Sequence, residues 1–154
     1  MAVVVRAFQP GDEAAFRDIN LEWIERFFAV EAKDREVLGD PHKYILEPGG
    51  QIFIAVDGDA LVGAVALMPM GNGSVELAKM GVRPQAQGKG AGRMLVAAAI
   101  EGARAMSMKR VYIETNSVLA PALKLYRDAG FQPLADKIPT PYARADVQLE
   151  LFLD

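Results

Sequence analysis

The chain has 154 residues, 51% of them apolar and 24% charged, with a formal net charge of −3, no cysteine and a single histidine, His42. Those counts exclude a disulfide framework, a cysteine nucleophile, a cysteine zinc site and a multi-histidine metal site. Carboxylates, tyrosine, lysine, arginine and the backbone are left to carry any catalysis. The length suits one domain, residues 1–154, with no repeat or linker to divide it. The acidic balance argues against nucleic acid as a partner. No apolar run approaches the ~18 residues of a membrane span. The expectation is a soluble, cytoplasmic protein.

Val3–Ala7 reads as a first strand, followed by Pro10-Gly11-Asp12 with Asp12 as an N-cap. Phe16, Ile19, Trp23 and Phe27 recur at helical spacing and predict a helix near 13–29. A second helical stretch covers 34–46, with a fresh start at Asp40-Pro41. Strands follow at 51–56, 61–68 and 75–82, joined by the turns Asp57-Gly58-Asp59 and Gly71-Asn72-Gly73. The stretch 84–92 is a Gly- and Gln-rich loop, and 93–106 an Ala-rich helix apolar on most faces. A strand at 110–114, a helix at 119–129 closed by Gly130, a strand at 131–134, a polar loop at 136–146 and a strand at 147–153 complete the chain.

The order is therefore β-α-α-β-β-β-α-β-α-β-β. Tight turns make the early strands antiparallel. The helix between 75–82 and 110–114 makes that pair parallel. The expected fold class is α/β (α+β), a mixed, mostly antiparallel sheet of about seven strands flanked by four helices.

The segment Gln87-Gly88-Lys89-Gly90-Ala91-Gly92-Arg93 sits between a strand and a helix. Glycines there bring backbone N–H groups close to a ligand, and a helix start adds unpaired donors and partial positive charge, which suits a pyrophosphate. A Walker A loop fails, because six residues separate Gly81 from Gly88-Lys89 and Gly90 follows. A dinucleotide fingerprint fails at Arg93. The remaining pattern, Gln87-x-x-Gly90-x-Gly92 after Met80-Gly81-Val82, resembles the acetyl-CoA loop of the GNAT acetyltransferase superfamily. Downstream, Asn116, Ala122, Leu125-Tyr126 and Gly130-Phe131 resemble that family's signature. Residues 76–110 carry seven bases against two acids, a local +5 consistent with a bound polyanion.

The resemblance implies direct acyl transfer from acetyl-CoA to a primary amine, with no metal. By resemblance, the backbone of Met80, Gly81 and Val82 would hold the thioester, and Gln87, Gly88, Lys89, Gly90, Ala91, Gly92 and Arg93 the pyrophosphate. Asn116 would contact pantetheine, and Tyr126 would act as general acid to the thiolate. Glu76 is the candidate base, acting through water, on the strand face shared with Ala78 and Met80. The competing reading is an exposed strand glutamate or a partner for Lys79, and Glu114 is the reserve. His42 reads as a helix-surface residue. The acceptor would enter between the first two helices and the loop 136–146, where Tyr142 and Arg144 are candidate contacts. Residues 12–47 hold ten acids and five bases, a field attractive to a cationic amine. A small amine or amino-acid-like acceptor is expected, together with a possible homodimer through the apolar last strand. The alternatives are a non-catalytic acyl-CoA sensor of the same fold and a protein N-acetyltransferase.

Overall fold

The computed structural model describes residues 2–154. Its elements are β1 (Val3–Ala7), α1 (Glu13–Phe27), α2 (Ala32–Gly39), β2 (Gln51–Asp57), β3 (Ala60–Gly71), β4 (Ser74–Val82), α3 (Ala91–Ala105), β5 (Arg110–Thr115), α4 (Ala120–Asp128), β6 (Gln132–Pro133) and β7 (Val147–Phe152). The strands form one sheet in the order β1-β2-β3-β4-β5-β7-β6. All neighbours are antiparallel except β4 and β5. This is the mixed sheet and element order expected from the turn and helix spacing.

The sheet separates two cores. On one face Phe16, Ile19 and Ile24 of α1 and Val37 and Leu38 of α2 pack against Ile52, Ile54, Ala64 and Ala66. On the other, Leu95, Val96 and Ala99 of α3 and Leu123 and Tyr126 of α4 pack against Val65, Leu67, Val75, Leu77, Val111 and Ile113. Strand alternation places each set, since neighbouring residues point to opposite faces.

Several local expectations are corrected. The helical stretch 34–46 is broken: α2 ends at Gly39, Asp40 Oδ1 accepts the Lys43 N–H at 3.1 Å, and a π-turn spans His42–Leu46. Asp12 precedes α1 without capping it by its side chain. Its carboxylate instead accepts Arg6 Nη1 at 2.7 Å and the Gln9 N–H at 2.8 Å. Phe27 lies at the end of the α1 stripe and is 46% exposed. Helix α3 begins at Ala91, two residues before the expected start, because Gly90 turns the chain into it at φ +84°, where a side chain would be strained.

One irregularity positions the site. β4 and β5 pair only through Ser74–Arg110, Val75–Val111 and Glu76–Tyr112, although β4 continues to Val82. β5 stays paired to β7 from Arg110 to Thr115, so it is β4 that departs. Beyond Glu76, β4 carries a bulge. Ala66 faces Ala78 and Ala64 faces Gly81, three steps on β4 against two on β3, with Lys79 at φ +52°. A bulge bends its strand, and here it follows the end of β4–β5 pairing, leaving a gap in mid-sheet.

Candidate active site

The opening has two faces, and the register assigns residues to each. Met68 pairs with Glu76 and Ala66 with Ala78, and both β3 partners belong to the α1/α2 core. Glu76 and Ala78 therefore face α1 and α2. Val111 and Ile113 belong to the α3/α4 core, so Tyr112 and Glu114 also face α1 and α2. A cavity on this side is lined by Glu76, Glu114, Trp23, Phe28, Lys79 and Tyr142 among others. Burial pushes the Glu76 carboxyl well above its ordinary value, and the neighbouring Glu114 pushes it further, against the opposing pull of Lys79. One oxygen of Glu114, Oε2, is buried with no hydrogen-bond partner.

Tyr126 lies on the other side. It is 5% exposed, packs edge-on to Phe131 with ring centres 6.0 Å apart, and its hydroxyl reaches Met80 Sδ at 4.0 Å. Burial raises its pKa, so the phenol keeps its proton at neutral pH. Tyr126 and Glu76 thus lie on opposite faces of the sheet, Tyr126 against Met80 of β4 and Glu76 at the last position where β4 pairs with β5.

The N-terminus of α3 follows directly from the bulged strand. Its first-turn N–H groups, from Ala91, Gly92 and Arg93, have no intrahelical acceptors. Gly92 packs against α4: a Cβ there would lie 2.8 Å from Leu125 Cδ1, so the end of that side chain would have to shift. Lys89 is held by Asp57 at 2.9 Å, and the Gln87 side chain bends back to Val82 O at 3.4 Å. The local excess of bases in 76–110 is not one patch. Arg104 pairs with Glu101, Arg110 with Glu150, and Lys79 with Asp34 on the α1/α2 side.

Tyr142 and Arg144, expected from the loop 136–146, do line the cavity, but inside a cluster centred on a residue that sequence reasoning passed over. Asp34, in the first turn of α2, is fully buried. It accepts Arg144 Nη1 at 2.7 Å and Nη2 at 2.6 Å, Lys79 Nζ at 2.8 Å and the Glu31 N–H at 2.9 Å. Burial opposes its charge, but these hydrogen bonds outweigh it and hold its pKa far below normal. Lys79 also donates to Tyr142 Oη at 2.9 Å, and both cations lie 4.5 Å from the Tyr142 ring centre. No local pattern marks Asp34 among the charged residues of 31–36. It is buried by a loop more than a hundred residues away. Trp23 has a clear helical spacing, but its position over Gly81 appears only in the fold. Asn116 ties the same loop down: Nδ2 donates to Arg144 O at 2.7 Å, and Oδ1 accepts the Val118 N–H at 2.8 Å. His42 is on the surface, 2.9 Å from Glu13.

Comparison with known proteins gives a consistent result. The model of the acetyltransferase (GNAT) family matches residues 14–131. An uncharacterized N-acetyltransferase of Escherichia coli K12, YjgM, is 34% identical over 62% of this chain and 59% of its own length. An N-acetyltransferase 8F1 of Rattus norvegicus is 29% identical over 71% of this chain and 52% of its own length. The chain thus spans between half and three fifths of these curated relatives. A mycothiol acetyltransferase of Cellulomonas flavigena is 34% identical over 84% of this chain and 40% of its own length. Among solved structures, a GNAT-family acetyltransferase of Staphylococcus aureus Mu50 superposes with a TM-score of 0.89 at 18% identity, over 99% of this chain and 100% of the other. A Bacillus subtilis acetyltransferase in complex with CoA superposes at 0.73 with 26% identity, over 98% and 99%.

Proposed function

This chain belongs to the acetyltransferase (GNAT) family, and on that premise we propose that it transfers an acetyl group from acetyl-CoA directly to the primary amine of a small-molecule or amino-acid-like acceptor. The observation that supports this reading is the end of β4–β5 pairing at Glu76, with the Glu76 cavity on the α1/α2 face and Tyr126 against Met80 on the α3/α4 face. Coenzyme enters from the α3/α4 side, with its pyrophosphate on the free N–H groups at the start of α3 and on Lys89 and Arg93. The backbone at Met80 and Val82 polarises the thioester carbonyl where negative charge develops.

The acceptor enters from the α1/α2 side. Glu76 takes the amine proton through a water, the nitrogen lone pair attacks the carbonyl carbon, and the C–S bond breaks. The departing thiolate takes the proton that burial keeps on Tyr126. Tyr142 and Arg144 form the acceptor wall. Arg144 gives two of its five N–H donors to Asp34, and the rest suit a carboxylate on an amino-acid-like acceptor.

The test is coenzyme A release, followed with a thiol dye across a panel of amino acids, their amides and simple amines. Release with one acceptor class supports the reading. No release from any amine, with acetyl-CoA bound, favours the sensor alternative. Acetylation confined to protein amines favours a protein acetyltransferase.

A further inference from the structure

Two carboxyl groups meet on the acceptor face. Glu76 stands opposite Tyr112 at the last paired position of β4 and β5, and Glu114 lies two residues beyond Tyr112 on the same face. Both line the one cavity. Two ionised carboxylates are acceptors only and repel each other, so groups this close gain a mutual hydrogen bond only when one is protonated. Glu114 Oε2 is buried and without a partner, which is the vacancy a carboxyl O–H from Glu76 would fill.

We propose that Glu76 and Glu114 work as one proton-sharing pair, holding one proton and one negative charge between them, and that this shared charge, reached through the water at Glu76, takes the proton of the acceptor's ammonium. The role in catalysis rests on the acetyltransfer reading above; the shared proton does not. One ammonium N–H bond breaks and its proton passes through that water to the pair; the freed lone pair forms the N–C bond as the C–S bond breaks, the thiolate takes the Tyr126 proton, and the nitrogen's second proton restores the tyrosine. After acetylated product and coenzyme depart, the pair returns one proton to water. The groups facing the pair are Lys79 on β4, Tyr112 on β5, Asp34 of α2, Lys33 beside it, and Tyr142 and Arg144 of the loop. Lys79 and Lys33 favour ionisation of Glu76. Asp34 accepts bonds from Lys79 and Arg144, which reduces what Lys79 offers the pair.

Carbon-13 titration of the Glu76 and Glu114 side-chain carboxyls in the whole protein, without acceptor, reads the pair directly. In the unmutated protein the Glu76 signal is expected to move in two steps separated by more than about one pH unit, the mark of a second carboxyl sharing its proton. In Glu114→Gln, Glu76 is expected to titrate in one step, moved down by about one pH unit or more. A single Glu76 step in the unmutated protein, or a Glu76 midpoint unmoved in Glu114→Gln, would overturn the proposal. Titration of the unmutated protein decides even where the variant folds poorly. Acetyl-CoA binding, measured on the same samples, tests the acetyltransfer reading separately, so failure of one is distinguishable from failure of the other.

Discussion

Tyr126 meets a thioether rather than a strong acceptor, and its burial keeps the phenol neutral. A thiolate leaving beside it would therefore find a proton available. Tyr126→Phe removes that proton and little volume. Its turnover is expected to fall by about 10²-fold or more, with the acetyl-CoA-induced rise in melting temperature unchanged. Equal turnover would remove Tyr126 from the chemistry. Tyr126 was singled out by the resemblance that Leu125-Tyr126 and Gly130-Phe131 carry, and Glu76 by strand alternation; alternation also put Met80 on the face of Glu76, but the bulge at Lys79 turns Met80 to the α3/α4 side. The environment that raises Glu76 was only half legible. Flanking Val75 and Leu77 indicate burial, but the nearness of Glu114 depends on how two strands register across a helical crossover.

At the scale of elements, Asp34 links α2, the β4 bulge and the loop before β7. It is a fully buried carboxylate with two cationic partners, so Asp34→Asn leaves buried positive charge without its counter-ion. The expected loss is about 3–5 kcal/mol, read from urea unfolding at neutral pH. A loss under ~1 kcal/mol would mean the cluster relaxes into water. The start of α3 makes a second prediction. Gly90→Ala forces a side chain into left-handed backbone, costing about 1–2 kcal/mol and weakening acetyl-CoA binding. An unchanged affinity would separate the loop's shape from coenzyme binding. Gly90 was legible because a glycine-rich strand-to-helix turn announces itself locally. Asp34 was not, since its partners come from residues 79 and 144 and only tertiary packing unites them.

For the whole molecule, the two shifted carboxylates act on stability in opposite directions. Asp34 has a lowered folded pKa, so its contribution is present above its ordinary value and is lost as pH falls below it. Glu76 has a raised folded pKa, so the fold loses stability as pH climbs from the ordinary carboxylate range through the raised value. Thermal melts should therefore show a decline as pH rises from the ordinary carboxylate range to about 8 that Glu76→Gln reduces, and a separate decline below the ordinary carboxylate range that this variant retains. An identical decline up to about pH 8 in the variant would assign it to other groups. The topology was legible because tight turns and one crossover helix leave few arrangements. The splitting of the mid-sheet was not, because it rests on one bulge at Lys79 that no composition or period announces. If this gap and the start of α3 hold acetyl-CoA, a thermal melt with millimolar acetyl-CoA reads it. Ligand at about 100 times its dissociation constant stabilises by about 2.7 kcal/mol, a rise of roughly 5–10 °C for a chain of this size. A melting temperature unmoved by millimolar acetyl-CoA would contradict the account.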